Sequence, residues 1–194
     1  MPHGSGTLPG HRLGRIALFL AVLGVVVLAA GCSGERVVFA GSGGGSGDGV
    51  RGVRPIDVVD LGLSQLTNLT GQRIRLRSVT LVTPPRGVHV RSVTSYYQPH
   101  SNDLALGLGD YLRYCRRTDH PFPVTAAVAR PHTYSRWLVV IALTIARPGR
   151  YHLGRAKISY TADGKDGWQY ENLSTTLFGV PTPPGAKPRL GGCP

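Results

Sequence analysis

Between residues 52 and 180 the apolar positions of this chain recur with a period near two rather than 3.6. "RIRLR" places Ile74 and Leu76 on one side and Arg73, Arg75 and Arg77 on the other, the pattern of a strand with one buried face. Continuing to Val79 and Leu81, the apolar parity reverses around Ser78, which implies a bulge or a change of face. "RWLVVIALTIA", Arg136 to Ala146, is apolar on both faces. Its β-branched content and the close flanks at Pro131 and Pro148-Gly149 predict a central strand rather than a helix. Strand pieces follow around Tyr151 and Leu153, Ala156 to Tyr160, Trp168 to Tyr170 and Thr175 to Phe178, with hairpin residues in "ADGKDG". "NDLALGLGDYLRYCRR" is ambiguous: Leu104, Leu108, Tyr111, Leu112 and Cys115 could share a helical face. Gly107 and Gly109 would each cost that helix about 1 kcal/mol, so a loop or strand is the better reading. Short strands between Gly, Pro and Asn turns predict an all-β fold, an antiparallel β-sandwich.

The two ends of the chain break this pattern. Behind Arg12 and Arg15, the stretch "IALFLAVLGVVVLAAG" from Ile16 to Gly31 carries no charge, the shape of an export signal. It is shorter than the roughly 20 apolar residues a bilayer crossing needs. It runs into "LAAGCSGE", where Leu28-Ala29-Ala30-Gly31-Cys32 resembles the lipobox of bacterial lipoproteins, with Ala29 where Leu is commonest. The resemblance implies that Cys32 receives a diacylglyceryl group and that the chain is cut before it. The mature protein is then held at the extracytoplasmic face of the cell membrane. Each buried CH₂ contributes about 0.8 kcal/mol, so two acyl chains hold where one would let go. Next comes "GSGGGSGDG", Gly41 to Gly49, with the composition of a flexible tether. At the other end, "PTPPGAKPRLGGCP" cannot propagate helix or sheet. The expected organisation is a signal peptide over 1–31, a lipid-anchored linker over 32–51, a sandwich over 52–180 and a Pro/Gly-rich tail over 181–194. A Gly-rich coil as long as that linker spans about 25 Å root-mean-square.

Composition adds charge. The 194 residues hold 22 basic and 10 acidic groups, a formal +12 that falls to +10 once Arg12 and Arg15 leave with the signal. Nineteen of the basic residues are Arg and three are Lys, a bias that a GC-rich genome produces without selection for function. A cationic body at an anionic envelope is attracted to acidic wall polymers, acidic proteins and lipid headgroups, by a field that salt screens within about 8 to 10 Å. Nucleic acid is not an expected partner, since zinc-finger spacings and aromatic-basic RNA motifs are absent from the sequence.

"LTNLTGQRIRLRSVTLV", with its Asn68 to Gly71 turn leading into an alternating strand, and "RPGRYHLGRAKISYTADG" further on, carry a second resemblance. Together they are similar to the immunoglobulin-like domains of poorly characterised lipoproteins from GC-rich actinobacteria. The resemblance covers most of Leu66 to Val180 and implies an immunoglobulin-like antiparallel sandwich in an envelope setting. It brings no catalytic residue with it.

Little in the chain points to catalysis. His89, His100, His120, His132 and His152 include no pair at i, i+2 or i, i+4, and HExxH, GxSxG and SxxK are absent. Thioether copper ligation would need Met, and the single Met is Met1. The pairs Asp57 with Asp60 and Asp163 with Asp166 are read as turn and loop composition. No cofactor and no metal are expected. With Cys32 acylated, Cys115 and Cys193 are the remaining thiols of an oxidising compartment and are expected to form one disulfide. The candidate binding residues are Arg73, Arg75 and Arg77, a row about 6 to 7 Å apart able to dock a polyanion. Arg113, Arg116 and Arg117 form a second cluster, and "SYYQPH", Ser95 to His100, offers aromatic contacts or packs under a loop. The expected function is therefore a non-catalytic, lipid-anchored binding or interaction module of the cell envelope. Its alternative is an envelope enzyme or enzyme accessory with a site built from scattered residues.

Overall fold

The computed structural model describes residues 37–40, 49–63, 66–97, 106–107, 121–133, 135 and 137–189. The leader, Cys32, Cys115, Cys193, the Arg113 to Arg117 cluster and most of the ambiguous 102–117 stretch lie outside the described residues. Among the described residues no helix is long and apolar enough to cross a membrane.

The strands are β1 (Phe39–Ala40), β2 (Val50–Val53), β3 (Val59–Leu63), β4 (Thr67–Asn68), β5 (Ile74–Val82) and β6 (Val88–Tyr97). After them come β7 (Leu106–Gly107), β8 (Pro121–Pro123), a 3₁₀ turn (Val124–Ala126), β9 (Val128–Ala129), β10 (Trp137–Ile145), β11 (Gly149–Ala162) and β12 (Lys165–Gly179). One sheet runs β7-β3-β10-β6-β8 and the other β2-β12-β11-β5-β9, with a small β1-β4 pair beside them. Setting aside the strands of two or three residues, the order is β3-β10-β6 against β2-β12-β11-β5. That is the B-E-D against G-F-C division of an immunoglobulin-like sandwich, with β2 added parallel to the last strand.

The expected central strand is β10, paired with β3 on one side and β6 on the other. Val139, Ile141, Leu143 and Ile145 enter the core between the sheets, where they meet Ile74, Leu76, Leu153, Ile158 and Leu177. The separate pieces read after residue 149 join into two long strands. They close through Ala162-Asp163-Gly164-Lys165, where Asp163 (φ +48°) and Gly164 (φ +74°) give the two left-handed residues of a type I′ hairpin. The parity change near Ser78 is a bulge: Ser159 and Tyr160 face Ser78 and Leu76, so Arg77 is the extra residue. At the β10 to β11 corner the Tyr151 hydroxyl donates to the Arg147 carbonyl at 2.8 Å, the tyrosine corner typical of this fold class. Asn68 builds its turn from a buried side chain. Its Oδ1 accepts from the Thr70 N–H at 2.8 Å and its Nδ2 donates to the Gln72 and Ala129 carbonyls.

Two boundaries differ from the expectation. A tether running unbroken over 32–51 does not fit, because Val38 and Phe39 are buried in the core. Gln169 holds them from β12: its Oε1 accepts from both backbone N–H groups at 2.9 Å, and its Nε2 donates to the Phe39 carbonyl. The Phe39 ring meets Tyr160 edge-on at 6.1 Å. The sheet itself begins at Val50, just after Gly49, where a Cβ would lie 2.3 Å from the Thr176 carbonyl oxygen. At the other end residues 181–189 of the tail form no helix or strand, yet they are fastened as far as Arg189.

That fastening overturns the reading of Asp57 and Asp60 as ordinary loop acids, since both are fully buried. Arg54 grips the Asp57 carboxylate with its Nε and with Nη2 at 2.7 Å, and Arg189 grips it from the tail with Nη2 at 2.6 Å. Both backbone N–H groups donate to the same carboxylate, at 2.9 and 3.0 Å. Arg54 also donates to the Lys187 carbonyl and Arg189 to that of Gly52. Burial alone would raise the Asp57 carboxyl, but the Arg54 and Arg189 hydrogen bonds override it and hold the group well below the ordinary carboxylate range.

Candidate functional site: an arginine-lined sheet corner

β5 positions the candidate residues. Ile74 and Leu76 are fully buried, so the pleat turns Arg73, Arg75 and Arg77 to solvent on the outer face of the sheet. The bulge keeps Arg77 outward while returning Val79 to the core. Arg75 faces Thr161 of β11 on one side and Val128 of β9 on the other. The three arginines, Val128, Thr161, Asp163 and Gly164 line an open depression of about 290 Å³. Two carboxylates belong to this hairpin. Asp163 is in the lining, and Asp166 accepts from the Thr161 hydroxyl at 2.8 Å and stands 3.8 Å from Arg77. With both partners more than half exposed, that ion pair is weak. Arg73 and Arg75 make no ion pair with the described residues.

Further along the same outer face the cations are spent on aromatic rings. Lys157 lies 5.0 Å from the Trp168 centroid and Arg155 4.7 Å from that of Tyr170, and the two rings lie 4.9 Å apart, tilted by 57°. Arg51 and Arg150 flank Phe178 at 5.3 and 5.5 Å. The sequence reading placed the aromatic contacts at Ser95 to His100 and missed these. Their signal is the Trp168-x-Tyr170 alternation beside alternating cations on β11. Of the "SYYQPH" segment, Tyr96 is buried, Tyr97 is exposed, and 98–100 lie outside the described residues.

Among the described residues no three His, Cys, Asp or Glu come together as a metal site. His89, His132 and His152 are all exposed, and His152 Nδ1 lies 3.3 Å from the Thr176 hydroxyl. A second depression of about 450 Å³ lies at the opposite end of the strands, lined by Arg86, Gly87, His89, Ala146 and Arg147.

No protein-family model matches the chain, and no curated protein matches it. Among solved structures the chain is similar to the Vibrio cholerae VesB protease at 12% identity and a TM-score of 0.37. The match covers 73% of this chain, which spans about a third (32%) of that one. It is also similar to the GAE domain of yeast GGA1, at 8% identity and a TM-score of 0.29, covering 59% of this chain and 76% of that one.

Proposed function

We propose that this protein is an exported, lipid-anchored, non-catalytic binding module of the cell envelope that docks anionic material through β5. The observation that supports this reading is the arginine row. Three guanidinium groups project from alternate positions at the start of β5 and just before it, and among the described residues Arg73 and Arg75 have no carboxylate partner. Arginine presents a planar fork that pairs bidentately with phosphate or carboxylate, and the spacing suits a polymer carrying such groups at regular intervals. Wall polymers, acidic proteins and anionic lipid headgroups are the ligand classes.

Long-chain polyphosphate titrated at physiological salt tests the row. Arg73, Arg75 and Arg77 changed together to Ser should weaken binding about tenfold or more, and the triple Ser variant of Arg147, Arg150 and Arg155 about twofold. Equal losses would reduce the interaction to net charge. Anchoring is tested apart from this, by the mass of the mature N-terminus: a diacylated Cys32 supports it, and an unmodified one rejects it.

A further inference from the structure

We infer that the anionic surface met by this arginine row is the headgroup layer of the membrane that holds the protein, so that the row fixes the sandwich's orientation on the bilayer. The inference rests on the reading of Cys32 as an acylated anchor and names the partner of the proposed binding face. Its starting point is where the chain enters the fold. Val38 and Phe39 are locked to β12 by Gln169, so the free length behind the anchor is not the 20-residue coil expected from sequence. From Cys32 to Val37 there are five residue steps, a contour of at most about 18 Å.

That entry point lies at the arginine end of the sandwich. Phe39 packs on Tyr160, Tyr160 faces Leu76, and the next pair along the ladder is Thr161 with Arg75. Arg130 follows directly on β9 and Lys165 opens β12, so the corner carries five cations against Asp163 and Asp166. Two apolar side chains protrude beside it. Val37 is 72% exposed and Leu69 49%, and the Leu69 N–H donates to the Val38 carbonyl. Exposed apolar groups where the chain enters the cationic end of the sandwich suit the boundary between headgroups and acyl chains.

Arg150 is eleven residues from Thr161 on β11, about 36 Å away at strand rise, or several Debye lengths. With the anchor at one end, only the proximal cations feel the surface. A polybasic patch gains roughly fivefold in affinity per basic residue close to an anionic leaflet, so three arginines account for about 100-fold.

Flotation of the mature chain carrying Cys32→Ser, which removes the acyl contribution, tests this with vesicles of phosphatidylcholine alone or mixed with phosphatidylglycerol. The chain is expected to float with the mixed vesicles only. The Arg73, Arg75 and Arg77 to Ser variant should lose most of that binding, and a far-end variant with Arg86, Arg147 and Arg150 changed to Ser should lose less than about twofold. Matching melting curves exclude misfolding as the cause. Equal losses in the two variants overturn the orientation. Binding of polyphosphate through the row without any preference for phosphatidylglycerol overturns the lipid partner and leaves the binding reading standing. Loss of both removes both.

Discussion

Two groups of arginines on this molecule have opposite fates. Arg54 and Arg189 converge on Asp57, where each places its Nε and Nη2 donors on the buried carboxylate and one backbone carbonyl. Arg73 and Arg75 stand on a sheet face with no ion-pair partner among the described residues, and Arg77 has one carboxylate at 3.8 Å. The formal charge counts all five alike. A net charge of +12 is therefore a poor guide to a binding surface, because some of those charges are structural. What marks a docking candidate is a guanidinium without a carboxylate of its own, and among the described residues Arg73 and Arg75 meet that condition while Arg54 and Arg189 do not.

The comparison can be broken first at Asp57. Asp57→Ala leaves two guanidinium groups facing an empty carboxylate site and releases the tail. We expect a loss of about 3 kcal/mol, the lower end for a broken buried pair, because the Arg189 side chain is 42% exposed and can turn to water. For a chain of this size that is roughly a 10 °C fall in melting temperature, measurable by calorimetry. A fall under about 2 °C would show that the cluster contributes nothing to stability.

Acid sharpens the same contrast. The folded-state pKa of Asp57 is depressed, so its contribution is fully present above its unfolded value, near about 4, and is lost as pH falls below that. Asp57→Asn should remove that part of the acid sensitivity. Arg189→Ser should let the carboxyl rise and move the onset of acid unfolding to higher pH. Half-buried Glu171 works the other way, since burial pushes its carboxyl up, so the readout is the difference between wild type and Asp57→Asn in melting scans from neutral to acid pH. Parallel curves would reject the assignment.

The smallest effect is expected where the arginines are free. Changing Arg73, Arg75 and Arg77 together to Ser should alter unfolding free energy by less than about 1 kcal/mol, because exposed pairs contribute little. A large loss would make the row structural and end its candidacy.

Those contrasts also show which parts of the molecule were legible in the sequence. The face of β5, the bulge near Ser78, the central strand and the Asp163-Gly164 hairpin all declare themselves within a few residues, because pleat and turn chemistry are local. Phe39 does not. It is one apolar residue beside a Gly-rich run, and the side chain that captures it is 130 residues away. Asp57 was misread for the same reason: "RPID" has turn composition, and the second arginine that buries its carboxylate lies 132 residues further on. The arginine row could be proposed from alternation alone, but that Arg73 and Arg75 meet no carboxylate among the described residues depends on which strands lie beside β5.

The clasping of both ends also has a kinetic consequence. Gln169 must find Phe39, Arg189 must find Asp57, and β2 must lie parallel to β12, each across well over a hundred residues. Contacts so distant in sequence raise the contact order and place the domain among slow folders, on the scale of milliseconds to seconds. A chain released from its N-terminus onward cannot close any of the three until nearly all of it is free. The domain therefore stays pliable throughout its emergence and sets only when its final residues arrive.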